Sequence, residues 1–294
     1  MPSIRHIAHR VFPKFLVAYI QKKKKNKRNS ELQKQANSGG LIKEELVRQL
    51  QSMGIIQGDV VLVHAALSKI GFIEEGPKTL VESLIEVLGN EGHLLMPTSS
   101  NNGRQLDFIQ SKPRFDVKNT ASKMGAISEY FRKMPHVKRS LHPTESVACL
   151  GPNADEFVRG HFGALTAYQT DSPFGKVIEK NGKILMIGVT FDNAGTNVHC
   201  LEDALDFPYP IYHPEIFEAD VVDENGKIHH VKTKVHDPEW SAKRYCDFLI
   251  PIFEKSGVLT KYKLGEAETL VIDAKAMFEK MKELLEKGNT IYKV

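Results

Sequence analysis

The alternation of apolar and polar positions predicts strands and helices interleaved along most of the chain. VVLVHAAL at 60–67 is an apolar run of strand length, the pattern of a strand buried on both faces. HLLMPT at 93–98 repeats that pattern and is stopped by Pro97. A third such strand runs from Lys183 to Val189, after a capped turn at 171–173, a short helix and an Asn181-Gly182 turn. Helical spacing marks LIKEELVRQLQSMG at 41–54, closed by Gly54, and PKTLVESLIEVLG at 77–89, opened by Pro77 and ended by Gly89. It also marks 119–134, and 238–257 with a disturbance at Pro251. The segment 139–151 is a loop entering a strand, and 217–235 alternates around Asn225-Gly226, the signature of a β-hairpin. A last strand at 268–273 runs through Asp273 into a terminal helix ending near 288. The mixture of βα units with an antiparallel hairpin predicts an α/β fold: one domain with a mixed central sheet covered by helices.

Residues 1–40 follow a different pattern. Ile4, Ile7, Val11, Phe15, Leu16, Tyr19 and Ile20 fall at roughly helical spacing among Arg5, His6, His9, Arg10 and Lys14, and a polybasic run follows. Such a basic amphipathic segment, residues 1–28, can rest on an anionic membrane surface or pack on a partner, although Pro13 interrupts it. The polar stretch ending in Ser38-Gly39-Gly40 reads as a tether to a domain spanning 41–294.

Charge divides at the same place. Residues 1–40 hold ten of the 40 Lys and Arg but one of the 36 acids, Glu31, so an acidic body follows a basic head. An acidic body with no recognisable nucleic-acid module argues against nucleic-acid binding and suits a cationic small molecule. Three cysteines without CxxC spacing argue against a disulfide framework or a Cys-rich zinc site. No apolar run approaches the ~20 residues needed to span a bilayer. The expectation is a cytoplasmic protein, with residues 1–28 as a peripheral contact to the inner membrane face.

Candidate chemistry concentrates after the third strand, where VTFDNAGTNVHCLEDA at 189–204 delivers His199 beside Glu202 and Asp203. An imidazole serves as a general base near neutral pH, and a carboxylate three residues on along a helix can fix its tautomer. On spacing alone, a structural histidine beside an acidic helix start is the stronger reading, because HxxE is a weak signal. Cys200 lies next to His199, but neighbours on a helix point apart, so it reads as a core residue. Three further loops stand out: VHAALSKIG at 63–71, FDVKNTASKMG at 115–125 with Thr120 and Ser122 at an expected helix start, a candidate anion site for the cofactor, and RSLHPTES at 139–146. No GxSxG, phosphate-binding GxxxxGK[ST], GxGxxG or HExxH motif is found.

Taken in order, VHAALSKIG, FDVKNTASKMGAISEYFR, RSLHPTESVACLG and DSPFGKVIEKNGKILMIGVTFDNAGTNVHCLEDA resemble the aminoglycoside 3-N-acetyltransferase family over roughly 41–275. The resemblance implies the antibiotic N-acetyltransferase fold, acetyl-CoA as co-substrate and an amino-sugar acceptor. It implies a general base at His199, an orienting or acceptor-binding role for Glu202, and a motif threonine at Thr196, a candidate oxyanion donor. It places Ala65, Leu67, Ser68 and Lys69 against pantetheine, and Arg139, Ser140, His142 and Ser146 on the CoA side. Glu202, Asp203 and Asp206, with Asp107 and Asp192, form an acidic set suited to a polycationic acceptor. Family members carry a second carboxylate after the hairpin; here that place is His236-Asp237, so either Asp237 takes the role or Glu202 acts alone. The basic head points instead to a nucleotide- or lipid-linked amino sugar of surface-polysaccharide synthesis. No metal is expected; the rival readings are a metal-dependent hydrolase built on the histidines and carboxylates, and a non-catalytic scaffold.

Overall fold

The computed structural model describes Lys23 and residues 39–101 and 103–293. The basic amphipathic segment and the boundary near residue 40 therefore lie almost wholly outside the described residues. No helix among the described residues is long and apolar enough to cross a membrane.

The first half of the chain builds α1 (Lys43–Ser52), β1 (Val60–Ala65), the helical turn α2 (Leu67–Ile70), α3 (Pro77–Leu88), β2 (His93–Pro97) and α4 (Gln105–Gln110). There follow β3 (Arg114–Asp116), α5 (Ala126–Phe131), β4 (Lys138–Arg139), β5 (Val147–Leu150) and α6 (Ala154–Val158). The second half continues with α7 (Pro173–Glu179), β6 (Lys183–Ile187), α8 (Phe191–Ala194), a 3-10 turn (Thr196–His199) and α9 (Cys200–Ala204). It ends with β7 (Phe217–Val222), β8 (Ile228–Thr233), α10 (Pro238–Lys243), α11 (Leu249–Lys255), β9 (Leu259–Leu264), β10 (Ala267–Asp273) and α12 (Ala274–Glu286).

Seven strands form a mixed sheet in the order β4-β5-β2-β1-β6-β10-β9. Its centre, β2-β1-β6, is parallel, and antiparallel strands flank it on both sides. Alternate residues of β1 feed two cores. Val61 and Val63 pack with Leu46 and Leu50 of α1 and Leu80 and Leu84 of α3. Leu62 faces the opposite layer, with Phe174 and Val177 of α7 and Met277 and Met281 of α12. This is why 60–65 reads as a continuous apolar run: both faces are covered. The hairpin at Asn225-Gly226 forms as predicted, but it belongs to a second, three-stranded sheet, β3-β7-β8, with its own small core around Phe115, Val221 and Val231.

Three elements depart from the sequence expectation. The helix expected over 119–134 contracts to Ala126–Phe131, because Asp116 and Thr120 tie the preceding segment into a turn. Gly125, at φ 117°, then sets a backbone that no continuing helix could use. The helix expected over 238–257 is two, broken at 244–248, while Pro251 sits in the first turn of α11, where its missing N–H costs no hydrogen bond. Strand β9 was not foreseen: its pattern is broken by Lys261 and Lys263, and only pairing with β10 defines it.

Candidate active site

Strand β6 ends at Ile187, and the chain turns sharply at Gly188, at φ 67°, where an added Cβ would lie 2.5 Å from Lys69 Cβ. That close approach brings the end of β1 and the end of β6 together at one edge of the sheet, the position where parallel α/β sheets hold ligands. From there the chain runs through α8 and the 3-10 turn, which presents Thr196 and His199, into α9, which carries Glu202 and Asp203.

His199 and Glu202 form a buried pair: Nδ1 lies 2.9 Å from Oε2. The other carboxylate oxygen accepts a 2.7 Å hydrogen bond from the Tyr292 hydroxyl. Beneath the pair the packing is apolar, from Val198, Leu201, Leu249, Met281 and Ile291. His236 completes the group, with Nε2 at 3.4 Å from Glu202 Oε2 and its ring centroid 4.6 Å from that of His199. Tyr168 and Tyr212 stack on His236, and Tyr168 also touches His199. Burial, reinforced by the positive charge of Arg244, drives the His199 pKa well below its ordinary value, so the ring is neutral at pH 7. The same causes, with His199 adding to them, lower His236 to about 3. Because a carboxylate only accepts, a neutral His199 must place its proton on Nδ1, which leaves the Nε2 lone pair free to act as a base.

His199, Glu202 and His236 have donor atoms within 4.8 Å of one another, a spacing that a metal ion could bridge. Both Glu202 oxygens already accept hydrogen bonds, however, so a metal would have to displace one.

Asp203, one turn position on, is held by the Tyr212 hydroxyl at 2.5 Å and the Tyr168 amide at 3.2 Å, and burial raises its pKa. Asp192 is engaged within the fold: its Oδ1 accepts the Cys246 amide at 2.6 Å and the Asp247 amide at 3.2 Å, pinning α8 to the segment before α11. Asp237 is not the second carboxylate of the histidine either. It caps α10, accepting the amides of Glu239 and Trp240. The neighbour of the pair from this segment is His236. Asp206 and Asp107 are exposed. Thr196 Oγ1 lies 3.1 Å from Nε2 of His64, a β1 residue whose burial lowers its pKa to about 4.

The residues expected on the CoA side divide into two groups. Ser68 and Lys69 stand exposed on α2, with Ala65 and Leu67 half-buried beside them. The others are engaged inside the protein. Arg139 is buried over the Phe115 ring and donates to Thr98 O, Thr120 O and Val117 O, and to the hydroxyls of Thr98 and Ser146. Ser140 bridges His161 and the Val147 amide, and His142 Nδ1 accepts the Glu145 amide at 3.1 Å. Thr120 accepts the Asp116 amide, and Ser122 bonds Ser128. Neither begins a helix, so the expected helix-terminal anion site is not formed there. What the geometry gives this second group is a scaffolding role: it stitches β3, β4 and the loop after β2 together. A cleft of about 370 Å³ opens beside Arg139 and Ser140, with Arg159 and Phe162 on its wall.

Several residues of the site carried no signal in the sequence. Tyr168, Tyr292, Glu145 and Arg244 reach it from distant segments. Burial raises the Glu145 pKa to about 7, against the opposing hydrogen bond from Gln105.

A family model described as Aminoglycoside 3-N-acetyltransferase matches residues 62–286. Aminoglycoside N(3)-acetyltransferase IV of Salmonella sp is 33% identical over 171 residues, 58% of this chain and 61% of its own length. The SPbeta prophage-derived aminoglycoside N(3')-acetyltransferase-like protein YokD of Bacillus subtilis (strain 168) is 30% identical over 171 residues, 52% of this chain and 61% of its own. The chain thus spans about three fifths of the length of these curated relatives. The structure of AAC-VIa bound to sisomicin superposes with a TM-score of 0.71 at 29% identity, covering 85% of this chain and 99% of that one. AAC-IIIb in binary complex with CoASH shares the fold, with a TM-score of 0.73 at 24% identity over 86% of this chain and 99% of that one. With this match over most of its length, on a mixed sheet that presents the His199–Glu202 pair, the chain belongs to the aminoglycoside 3-N-acetyltransferase family.

Proposed function

We propose that this protein transfers the acetyl group of acetyl-CoA to an amino group of an amino-sugar acceptor, an aminoglycoside or a nucleotide- or lipid-linked amino sugar, with His199 as general base. The observation that carries this reading is the buried pair at 2.9 Å, in which Glu202 holds the Nδ1 proton of His199 and leaves Nε2 basic. Family membership supports acetyl transfer, the CoASH complex of AAC-IIIb supports the co-substrate, and the sisomicin complex of AAC-VIa supports an amino-sugar acceptor.

In the reaction both substrates bind together. The acceptor nitrogen attacks the thioester carbonyl while Nε2 of His199 takes its proton. The tetrahedral intermediate collapses, the C–S bond breaks, and the thiolate leaves with a proton returned from the imidazolium. Glu202 stabilises that imidazolium, and Tyr292 keeps the carboxylate in place. General-base assistance contributes about 10²–10⁴-fold, and co-binding the two substrates contributes as much or more. The developing oxyanion needs a donor. With the His64 proton on Nε2 and directed at Thr196 Oγ1, the Thr196 hydroxyl hydrogen is free to serve. Ser68 and Lys69 on α2 are the exposed residues offered to the pantetheine arm, at the sheet edge nearest the pair. The buried cysteines, free of disulfides, fit a reducing compartment, and the basic sequence of residues 1–28 suits contact with an anionic membrane.

The test is an equilibrium titration with acetyl-CoA followed by thiol release on adding an amino sugar. Saturable binding followed by acceptor-dependent release is the expected result. Failure to bind any acyl-CoA would support a non-catalytic scaffold. The His199, Glu202 and His236 cluster motivates a second reading, a metal-dependent hydrolase. Stoichiometric zinc in the purified protein, with activity lost on chelation, would favour it.

A further inference from the structure

The acids around His199 are unevenly occupied. Glu202 accepts from Tyr292 and holds the His199 proton, Asp203 accepts the Tyr212 hydroxyl and the Tyr168 amide, and Asp192 accepts two backbone amides. Glu145, in the loop between β4 and β5, is in a different condition. Its Oε1 accepts a hydrogen bond from Nε2 of Gln105, the first residue of α4, and Gln105 Oε1 accepts the His236 amide at 3.2 Å. The His236 ring lies 4.6 Å from that of His199, so two hydrogen bonds and one ring contact join this carboxyl to the proposed base. Its other oxygen, Oε2, has no protein donor among the described residues, and it is not sealed. Glu145 is part-exposed, whereas Thr144 and Ser146 on either side are buried.

A second open oxygen lies nearby. The charge of Glu145 acts on the Tyr168 hydroxyl, which also lacks a hydrogen-bond partner among the described residues without being sealed. The Tyr168 ring centroid is 5.1 Å from that of His199. No cation pairs with Glu145: the charge of Arg244 reaches it, but Arg244 forms no ion pair with it and acts chiefly on Tyr292 and Glu202. Burial accordingly dominates and holds the Glu145 carboxyl at a pKa of about 7. A carboxylate so placed gains more from an arriving cation than an exposed one does, because little solvent screens the pair. An ammonium brings donors and positive charge with no acceptor of its own, which is the complement of one carboxylate and one phenolic oxygen.

We propose that Glu145, with the Tyr168 hydroxyl beside it, receives a second ammonium group of the acceptor, so that the amine acetylated at His199 belongs to an amino sugar with two or more amines. This rests on the acetyl-transfer reading above and makes Glu145 a residue that selects polyamines over monoamines.

The experiment measures binding to the full chain by calorimetry in the presence of CoA. The probes are sisomicin, a polycationic aminoglycoside, and glucosamine, a monoamine whose weaker binding is read by displacement of sisomicin. Glu145→Gln keeps an oxygen for Gln105 to donate to and removes the charge. It should weaken sisomicin roughly tenfold to a hundredfold, change glucosamine by less than about twofold and leave CoA affinity as it was. Unchanged sisomicin affinity would overturn the proposal. An equal loss for both probes would overturn it too, since that is the mark of a merely structural carboxyl. Where Glu145→Gln does not fold, Glu145→Asp, which keeps the charge but draws it back, should still weaken sisomicin several-fold and spare glucosamine; no difference between the probes there would overturn it as well. Thiol release measured alongside keeps the two readings apart. Release that ignores Glu145→Gln would sink this site alone, and Glu145-dependent sisomicin binding without any release would sink the acetyl-transfer reading.

Discussion

Tyr292 donates a 2.7 Å hydrogen bond to Glu202 across 90 residues of sequence, and through Glu202 it fixes the orientation of His199. His199, the proposed base, is thus held by two segments that meet only in the folded protein: the turn after β6 and the strip that follows α12.

Tyr292→Phe removes that hydrogen bond while keeping the ring between Arg244 and Trp240. A hydrogen bond to a buried carboxylate is worth about 1.5–3 kcal/mol. The variant should therefore lose on the order of tenfold in kcat, with KM for acetyl-CoA unchanged and a lowered melting temperature. Glu202→Gln, which replaces the carboxylate partner itself, should lose more, toward the lower end of the ~10²–10⁴ range of general-base catalysis. Steady-state kinetics with circular dichroism as a folding control checks both. Wild-type kcat in Tyr292→Phe would mean that the tyrosine positions nothing.

The buried histidines set how stability responds to acid. His64 and His161 are lowered to about 4 and His236 to about 3, in each case chiefly by burial, and burial also holds His142 and His199 well below the ordinary imidazole value. Below the unfolded imidazole value of ~6.5 the unfolded chain binds protons that the folded chain refuses, so stability falls as pH falls, by up to about 1.4 kcal/mol per pH unit for each histidine. Glu145 opposes this, because a folded pKa of about 7 favours the folded state as pH drops toward its ordinary range. Five histidines outweigh it. Urea midpoints should be flat from pH 8 to 7 and decline steeply between about 6 and 4. A midpoint that holds to pH 5 would contradict the burial of these rings in their neutral form.

Much of the frame was legible in the sequence because it rests on local pattern. The double-faced apolar runs at 60–67 and 93–98, the Pro77 and Gly89 helix signals and the Asn225-Gly226 hairpin each appear where periodicity and turn chemistry put them. His199 and Glu202 were likewise visible, three residues apart on one turn. What was not legible depends on contacts distant in sequence. Nothing local to Tyr292 or Arg244 distinguishes a surface residue from one that reaches Glu202. Asp192 and Asp237 looked like free acids and are instead occupied by backbone amides, a use that short polar side chains commonly find near helix ends. Strand β9, with Lys261 and Lys263 along it, is defined by its partner rather than by its pattern.

The three-residue cluster of His199, Glu202 and His236 invites a test with chelators. Since both oxygens of Glu202 are already hydrogen-bonded, dialysis against EDTA should leave acetyl transfer unchanged, and metal analysis should return far less than one zinc per chain. Loss of activity on chelation, restored by zinc, would turn the site into a metal centre.

The central claim is that His199 takes the proton from the acceptor nitrogen. It is tested most directly by thiol release from acetyl-CoA with aminoglycosides, nucleotide-linked amino sugars and an amine-free control, run on wild type and His199→Ala. The account predicts acceptor-dependent release that drops by about 10²–10⁴-fold in the variant while acetyl-CoA affinity holds. Release at near wild-type rate in His199→Ala would contradict it.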